Sequence, residues 1–225
     1  MEVEIPHRPV HIAVFLLLCF LCYQAHQLTR HLAGAALCGG FGSMTFTVTV
    51  TRQPCSFPSL VVLSGPVLTY GLAWLGMFLL RSTKYRLFAY ALTFASFAHL
   101  RFIQNLTGRG DELILAGQWF GITSRLVVAA IVLLVGLPPL IAAYRVIANE
   151  RRVLVFICSW LLPLIVLFLL LIGNAFLFGP DGDQIREWTL MGLPLIVLVI
   201  DLLAFIVFVR WGMPLLLPRD DQGRL

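Results

Sequence analysis

From Val153 to Phe178 the chain carries no charged side chain, a run longer than the ~20 residues needed to cross a hydrocarbon core. In lipid, every backbone amide and carbonyl in such a run must be satisfied internally, which restricts it to a helix. Other apolar runs bring the expected spans to six: Val10 to Thr29, Ser59 to Leu80, Tyr85 to Leu106, Leu126 to Tyr144, Val153 to Phe178 and Trp188 to Val209. The chain is 60% hydrophobic and 12% charged, whereas a soluble domain uses about a quarter charged residues to cover its surface. The reading is an all-α integral membrane protein of about six transmembrane helices. Residues 1–213 form a single polytopic membrane domain, and 214–225 form a polar C-terminal tail.

Two spans need argument. The uncharged part of the third, Leu87 to Leu100, is short, so it crosses only if Arg101 snorkels or faces protein or water. The first is preceded by Glu2 and Glu4 and followed by no clean small-residue cleavage site, so it reads as a helix rather than a signal peptide.

The net charge of +5 comes from Lys and Arg placed mostly at the ends of apolar runs. That pattern sets topology and offers no basic stripe for a nucleic acid, so the expected partners are the lipid bilayer and another membrane protein. With the N-terminus inside, ten basic residues lie inside, at Arg8, Arg81, Lys84, Arg86, Arg145, Arg151, Arg152, Arg210, Arg219 and Arg224. Six lie outside, at Arg30, Arg52, Arg101, Arg109, Arg125 and Arg186. The bias puts both termini in the cytoplasm. Four of the five cysteines lie in or beside apolar segments and only Cys55 sits in a polar loop, so no disulfide framework is expected. Cys19 and Cys22 have CxxC spacing but read as two small hydrophobes.

After the first span the period changes. Ser43 to Thr51 alternates Thr with Phe or Val behind Gly39, Gly40 and Gly42, which is the signature of a strand or hairpin. Its backbone has to be hydrogen-bonded, so it belongs at the interface or against protein.

His26 stands near the end of the first apolar helix, where a histidine needs a polar neighbour, a metal or the interface. The segment around it, AHQLTRHLAGAALCGG, resembles a degraded zinc-binding helix of the site-2 protease family of intramembrane metalloproteases. The family motif is HExxH, with two histidines on one helix face and a Glu as general base for a zinc-bound water. His26 matches the first ligand, Gln27 occupies the base position and Arg30 the second ligand position. Glutamine cannot take a proton, and a guanidinium cannot ligate zinc. His31 follows at once, but i+5 places it about 140° round the helix from His26.

The resemblance extends over residues 26–115. The family's hairpin corresponds to Gly39 to Thr51, its small-residue-Gly-Pro helix start to Ser64-Gly65-Pro66, and its Asn with a downstream zinc-ligating Asp to Asn105 and Asp111. Here Asn105 and Asp111 are closer together than in the family, the intervening prolines are missing, and Glu112 stands where the family has Gly. The resemblance implies a membrane protein that has lost peptidase chemistry and binds a membrane partner, with no cofactor. It also implies a hairpin on the cytoplasmic side, opposite to the side the charge bias gives.

Two alternatives stand beside it. One is an active zinc protease using His26, His31 or His99, and Asp111, with an unidentified base. The other is an unrelated scaffold or small transporter centred on Asp201, a carboxylate well inside the sixth span that Asn174 could partner. Each motif also has a plain structural account. His26, Gln27, Arg30 and His31 serve as interfacial anchors, Asp111 as the N-cap of a helix beginning at Glu112, and Ser64-Gly65-Pro66 as a kink or close-packing point. If Asp111 has lost its zinc, its charge needs a cation in low dielectric. The expectation is that Arg30 supplies it.

Overall fold

The computed structural model describes residues 2–179 and 189–217. It is predominantly helical, and five of its helices are long and apolar enough to cross a membrane. They are α1 (Pro9–Leu37), α2 (Pro58–Leu79), α6 (Arg125–Arg145), α7 (Arg152–Phe178) and a final segment in which α8 (Leu195–Val207) runs through a π-helical turn (Phe208–Gly212) into α9 (Met213–Leu216). At ~1.5 Å per residue, the 29 residues of α1 reach about 43 Å. Pro9 and Pro58 open α1 and α2 at the first helical position, where a missing N–H costs nothing. The outer faces of α6, α7 and α8 carry large apolar side chains without cover, Phe176 being 86% exposed. Faces of that kind suit lipid and would make a soluble monomer aggregate.

The expected third span is a correction. Its residues form two short helices, α3 (Arg86–Ala95) and α4 (Ala98–Leu106), separated by Phe97 in a left-handed conformation at φ 62°. Hydroxyls compete for the backbone at this break: Thr93 donates to the Ala89 carbonyl at 3.0 Å and Ser96 to the Thr93 carbonyl at 2.8 Å. The turn packs Phe97 edge-on against Tyr23 of α1, with ring centroids 5.7 Å apart. Residues 89–101 are all buried, because α3 packs on α1, α2, α6 and α7, and α4 on α2 and α6. Arg101 therefore faces protein. α5 (Asp111–Phe120) follows α4 at once.

The Thr-rich stretch is a hairpin of two short antiparallel strands. β1 (Ser43–Met44) pairs with β2 (Thr49–Val50), Ser43 opposite Val50 and Met44 opposite Thr49. Gln24 and Gln27 of α1 supply the hydrogen bonds that a hairpin among membrane helices needs. Gln24 Nε2 donates to the Phe46 carbonyl at 3.2 Å and Gln27 Nε2 to the Thr47 carbonyl at 3.3 Å, while Thr49 Oγ1 donates to Gln27 Oε1 at 2.9 Å. A second hairpin, β3 (Thr189–Leu190) with β4 (Leu193–Pro194), turns through Met191 and Gly192, both at positive φ. It joins the first hairpin through Met44 N donating to the Gly192 carbonyl at 3.0 Å.

Further expectations are corrected. Cys38 and Cys55 form a disulfide that ties the end of α1 to the approach to α2. Their flanking composition misled, because the hairpin between them folds back and brings the two ends together. Cys19 and Cys22 are free and buried. Pro214 to Leu216 belong to α9, and Leu216 is buried. Trp188, Arg186, Arg219 and Arg224 lie outside the described residues.

Candidate functional site

On α1, His26 and Arg30 are one turn apart on the same face and point at α2. Gly65 makes the approach possible: a Cβ there would sit 2.5 Å from His26 Cε1, 2.6 Å from Nε2 and 2.9 Å from Arg30 Cδ. One turn further along α2, Thr69 Oγ1 lies 2.9 Å from His26 Nδ1, within hydrogen-bond reach. The segment Ser64-Gly65-Pro66 is thus where α2 packs directly on the histidine.

Beyond Arg30 lies the start of α5. Arg30 Nη1 is 3.5 Å from Asp111 Oδ1, a long contact for a charge-assisted bond. The expected pair is present, but Arg101 of α4 is the closer partner. Its Nη2 donates to Asp111 Oδ2 at 2.8 Å and its Nε to Glu112 Oε1 at 2.9 Å. Its Nη1 donates to Gln104 Oε1 at 3.1 Å. Glu112 also accepts from Tyr70 Oη of α2 and from Asn105 Nδ2, each at 2.9 Å. Two guanidiniums and two carboxylates therefore balance within one cluster. Its side chains are 8% (Arg101), 14% (Glu112), 15% (Asp111) and 22% (Arg30) exposed. Burial at this level makes the network costly to leave half-made.

Asp111 does not cap α5. It is the first helical residue, behind Gly110 as N-cap, and no cap side chain bonds there. Asn105, fully buried, does the capping from α4: its Oδ1 accepts from Leu113 N at 3.0 Å and its Nδ2 donates to the Arg101 carbonyl at 2.8 Å. Asp111 and Glu112 thus sit in the first turn, where the helix dipole favours negative charge. Gly110 has no Cβ because the Asn105 amide occupies that space.

The remaining histidines point elsewhere. His31 Nε2 donates to the Met191 carbonyl at 2.8 Å and its ring stacks on Phe41, so it secures the second hairpin. His99 Nε2 donates to the Trp160 carbonyl at 3.0 Å. Gln27 spends both ends of its amide on the first hairpin and on Tyr23 Oη. The group around Asp111 offers one imidazole and two carboxylates, Asp111 and Glu112, both already paired with guanidinium groups. That donor set does not fit zinc, which takes three or four N, O or S ligands. Among the described residues no three His, Cys, Asp or Glu side chains gather as a metal site. Asp201 and Asn174 are joined by no hydrogen bond; Asp201 Oδ1 and Asn174 Oδ1 are each buried without a partner among the described residues.

Beside the cluster, α2, α5 and α6 enclose an apolar cleft of about 290 Å³. Leu63, Leu115, Trp119, Phe120 and Val132 form its walls, and Tyr70 and Glu112 its polar end. Arg101, Glu112, Tyr70 and Thr69 were not read as site residues from the sequence. The available signals were local ones. Thr69 lies one helical turn after Gly65, and Arg101 one turn before Asn105. No family model, curated protein or solved structure matches the chain.

Proposed function

We propose that this chain is a site-2-protease-like membrane protein without peptidase chemistry, in which an arginine–carboxylate network replaces the metal centre and the neighbouring cleft holds an apolar segment of another membrane protein. The observation that carries the reading is Arg30, at the second ligand position, in contact with Asp111, at the last ligand position. Four elements that the resemblance orders along the chain also meet in space: His26 and Arg30, Gly65, Asn105 and Asp111. Gln27 at the base position has no proton-accepting role, and its amide is engaged in holding the hairpin. Both termini are assigned to the cytoplasm, an assignment that has the two short helices α3 and α4 together carry the chain across between α2 and α6, in keeping with the α6–α7 turn bonded to the N-terminal segment through Val3 N and the Val146 carbonyl. The charge bias supports this, and so does the Cys38–Cys55 disulfide, since disulfides persist in oxidising compartments and the first loop then faces away from the cytoplasm.

Metal analysis of the purified protein tests the central point. The expected result is zinc well below stoichiometric. Bound zinc that disappears in His26→Ala would overturn the reading and favour the active protease. A photo-crosslinking residue at Phe120, in the cleft, should give one discrete protein adduct in native membranes, and the same probe at Phe176 of α7 should give none. Equal labelling from both positions would count against a held partner. A second reading, a proton or ion path through Asp201, rests on its buried carboxylate oxygen, which has no partner among the described residues.

A further inference from the structure

At the opposite end of α1 from His26, the start of α1, α3 and the first half of α7 enclose a half-open cavity of about 580 Å³. That is within the ~300–1,000 Å³ range of pockets that bury a small ligand. Its two ends differ. One holds Arg151, His7 and His11; along α7 the lining then runs past Cys158 and Ser159 to the aliphatic Leu161, Leu162 and Ile165. On α7 the lining residues Leu154, Cys158, Leu161 and Ile165 recur on a single helix face. Arg151 has no carboxylate partner among the described residues, and His11 Nδ1 is buried with no hydrogen-bond partner among them.

The cavity's length identifies its occupant. From Arg151 to Ile165 the helix rises about 21 Å at ~1.5 Å per residue. One leaflet with its head-group layer is half of a ~40–45 Å bilayer, the same depth. Around the basic end, Glu2 of the N-terminal segment contacts both Arg152 and Arg86, which brings the basic residues flanking α3 and α7 to the same side. Basic pockets between helices on that side recognise anionic head groups.

We infer that this cavity is a binding site for one anionic phospholipid, its phosphate held at Arg151 and His11 and an acyl chain laid along α7 toward Ile165. Cys158, a free and exposed cysteine in the wall, reports occupancy directly. The experiment measures maleimide labelling of Cys158 in detergent-purified full-length protein. The additives are phosphatidylglycerol, phosphatidylcholine with the same chains, or the free fatty acid alone. Phosphatidylglycerol should slow labelling at concentrations where the other two do not.

Arg151→Gln, on an exposed residue with no ion pair among the described residues, should weaken that protection about fivefold, the loss expected for one basic side chain at an anionic surface. Lys84→Gln, a cation on the same side but outside the cavity, should leave it unchanged. The inference fails if phosphatidylcholine or the fatty acid protects equally. It also fails if Arg151→Gln retains full protection, or if Lys84→Gln loses as much as Arg151→Gln.

Discussion

Arg101, rather than Arg30, should be the cation on which the ionic cluster depends. Arg101 contacts two carboxylates at 2.8 and 2.9 Å, whereas Arg30 contacts one at 3.5 Å. Arg101→Met leaves Asp111 and Glu112 as adjacent buried carboxylates with only the distant Arg30 between them, and stranding a buried charge costs about 3–5 kcal/mol. Arg30→Met removes one long contact from a more exposed side chain and leaves Asp111 paired, so about 1 kcal/mol is expected. For a chain of this size ~1 kcal/mol moves the midpoint by about 2–4 °C. In detergent, Arg101→Met should then unfold roughly 10 °C below wild type and Arg30→Met within about 4 °C of it. Double-mutant cycles with Asp111→Asn separate the pairs. The Arg101–Asp111 coupling should be the larger, and the Arg30–Asp111 coupling small but above ~0.5 kcal/mol. Equal losses for the two arginine variants would refute the ranking. A cycle for Arg30 and Asp111 below ~0.5 kcal/mol would remove Arg30 from the network and with it the argument that it took the place of a metal.

Gly65→Ala should lower thermal stability by about 1–3 kcal/mol, because the added methyl overlaps the His26 ring where α2 packs on it; unchanged melting would mean that the two helices are not in contact there. Asp201→Asn should fold and melt like wild type if the carboxyl is a neutral group, and loss of a measurable proton or ion flux with folding intact would favour the transporter. A reporter fused after Thr51 should read as extracytoplasmic, and Cys38→Ser should abolish a reduction-dependent gel shift and cost about 3 kcal/mol for a 17-residue separation. A cytoplasmic signal from that reporter would overturn the topology.

The long helices were legible because lipid imposes a single rule on them. Twenty apolar residues in a row must be helical, so α7 is readable from its composition alone. The hairpin was legible for a related reason, since alternation at period two has no helical face to serve. Residues 26, 65 and 111 were picked out in chain order, but nothing local says that they meet. Gly65 shows its meaning only when His26 and Arg30 occupy the space its missing Cβ leaves.

The third run shows the limit of the hydropathy argument. A stretch with Arg101 near its end looks like a short span because hydropathy cannot distinguish a side chain buried in protein from one buried in lipid. Only the packing of α3 and α4 inside the bundle, with a left-handed turn at Phe97, gives Arg101 two carboxylates and makes it a centre of the site. The disulfide was hidden for the same reason: Cys38 and Cys55 meet because the hairpin folds back between them, a long-range geometry that their neighbours in sequence do not encode. What the sequence by itself determined is therefore the solvent each segment prefers and its period. Which polar groups find one another inside that solvent was decided by tertiary structure, because a charge buried in low dielectric is stable only beside a partner, and most of the partners here come from other helices.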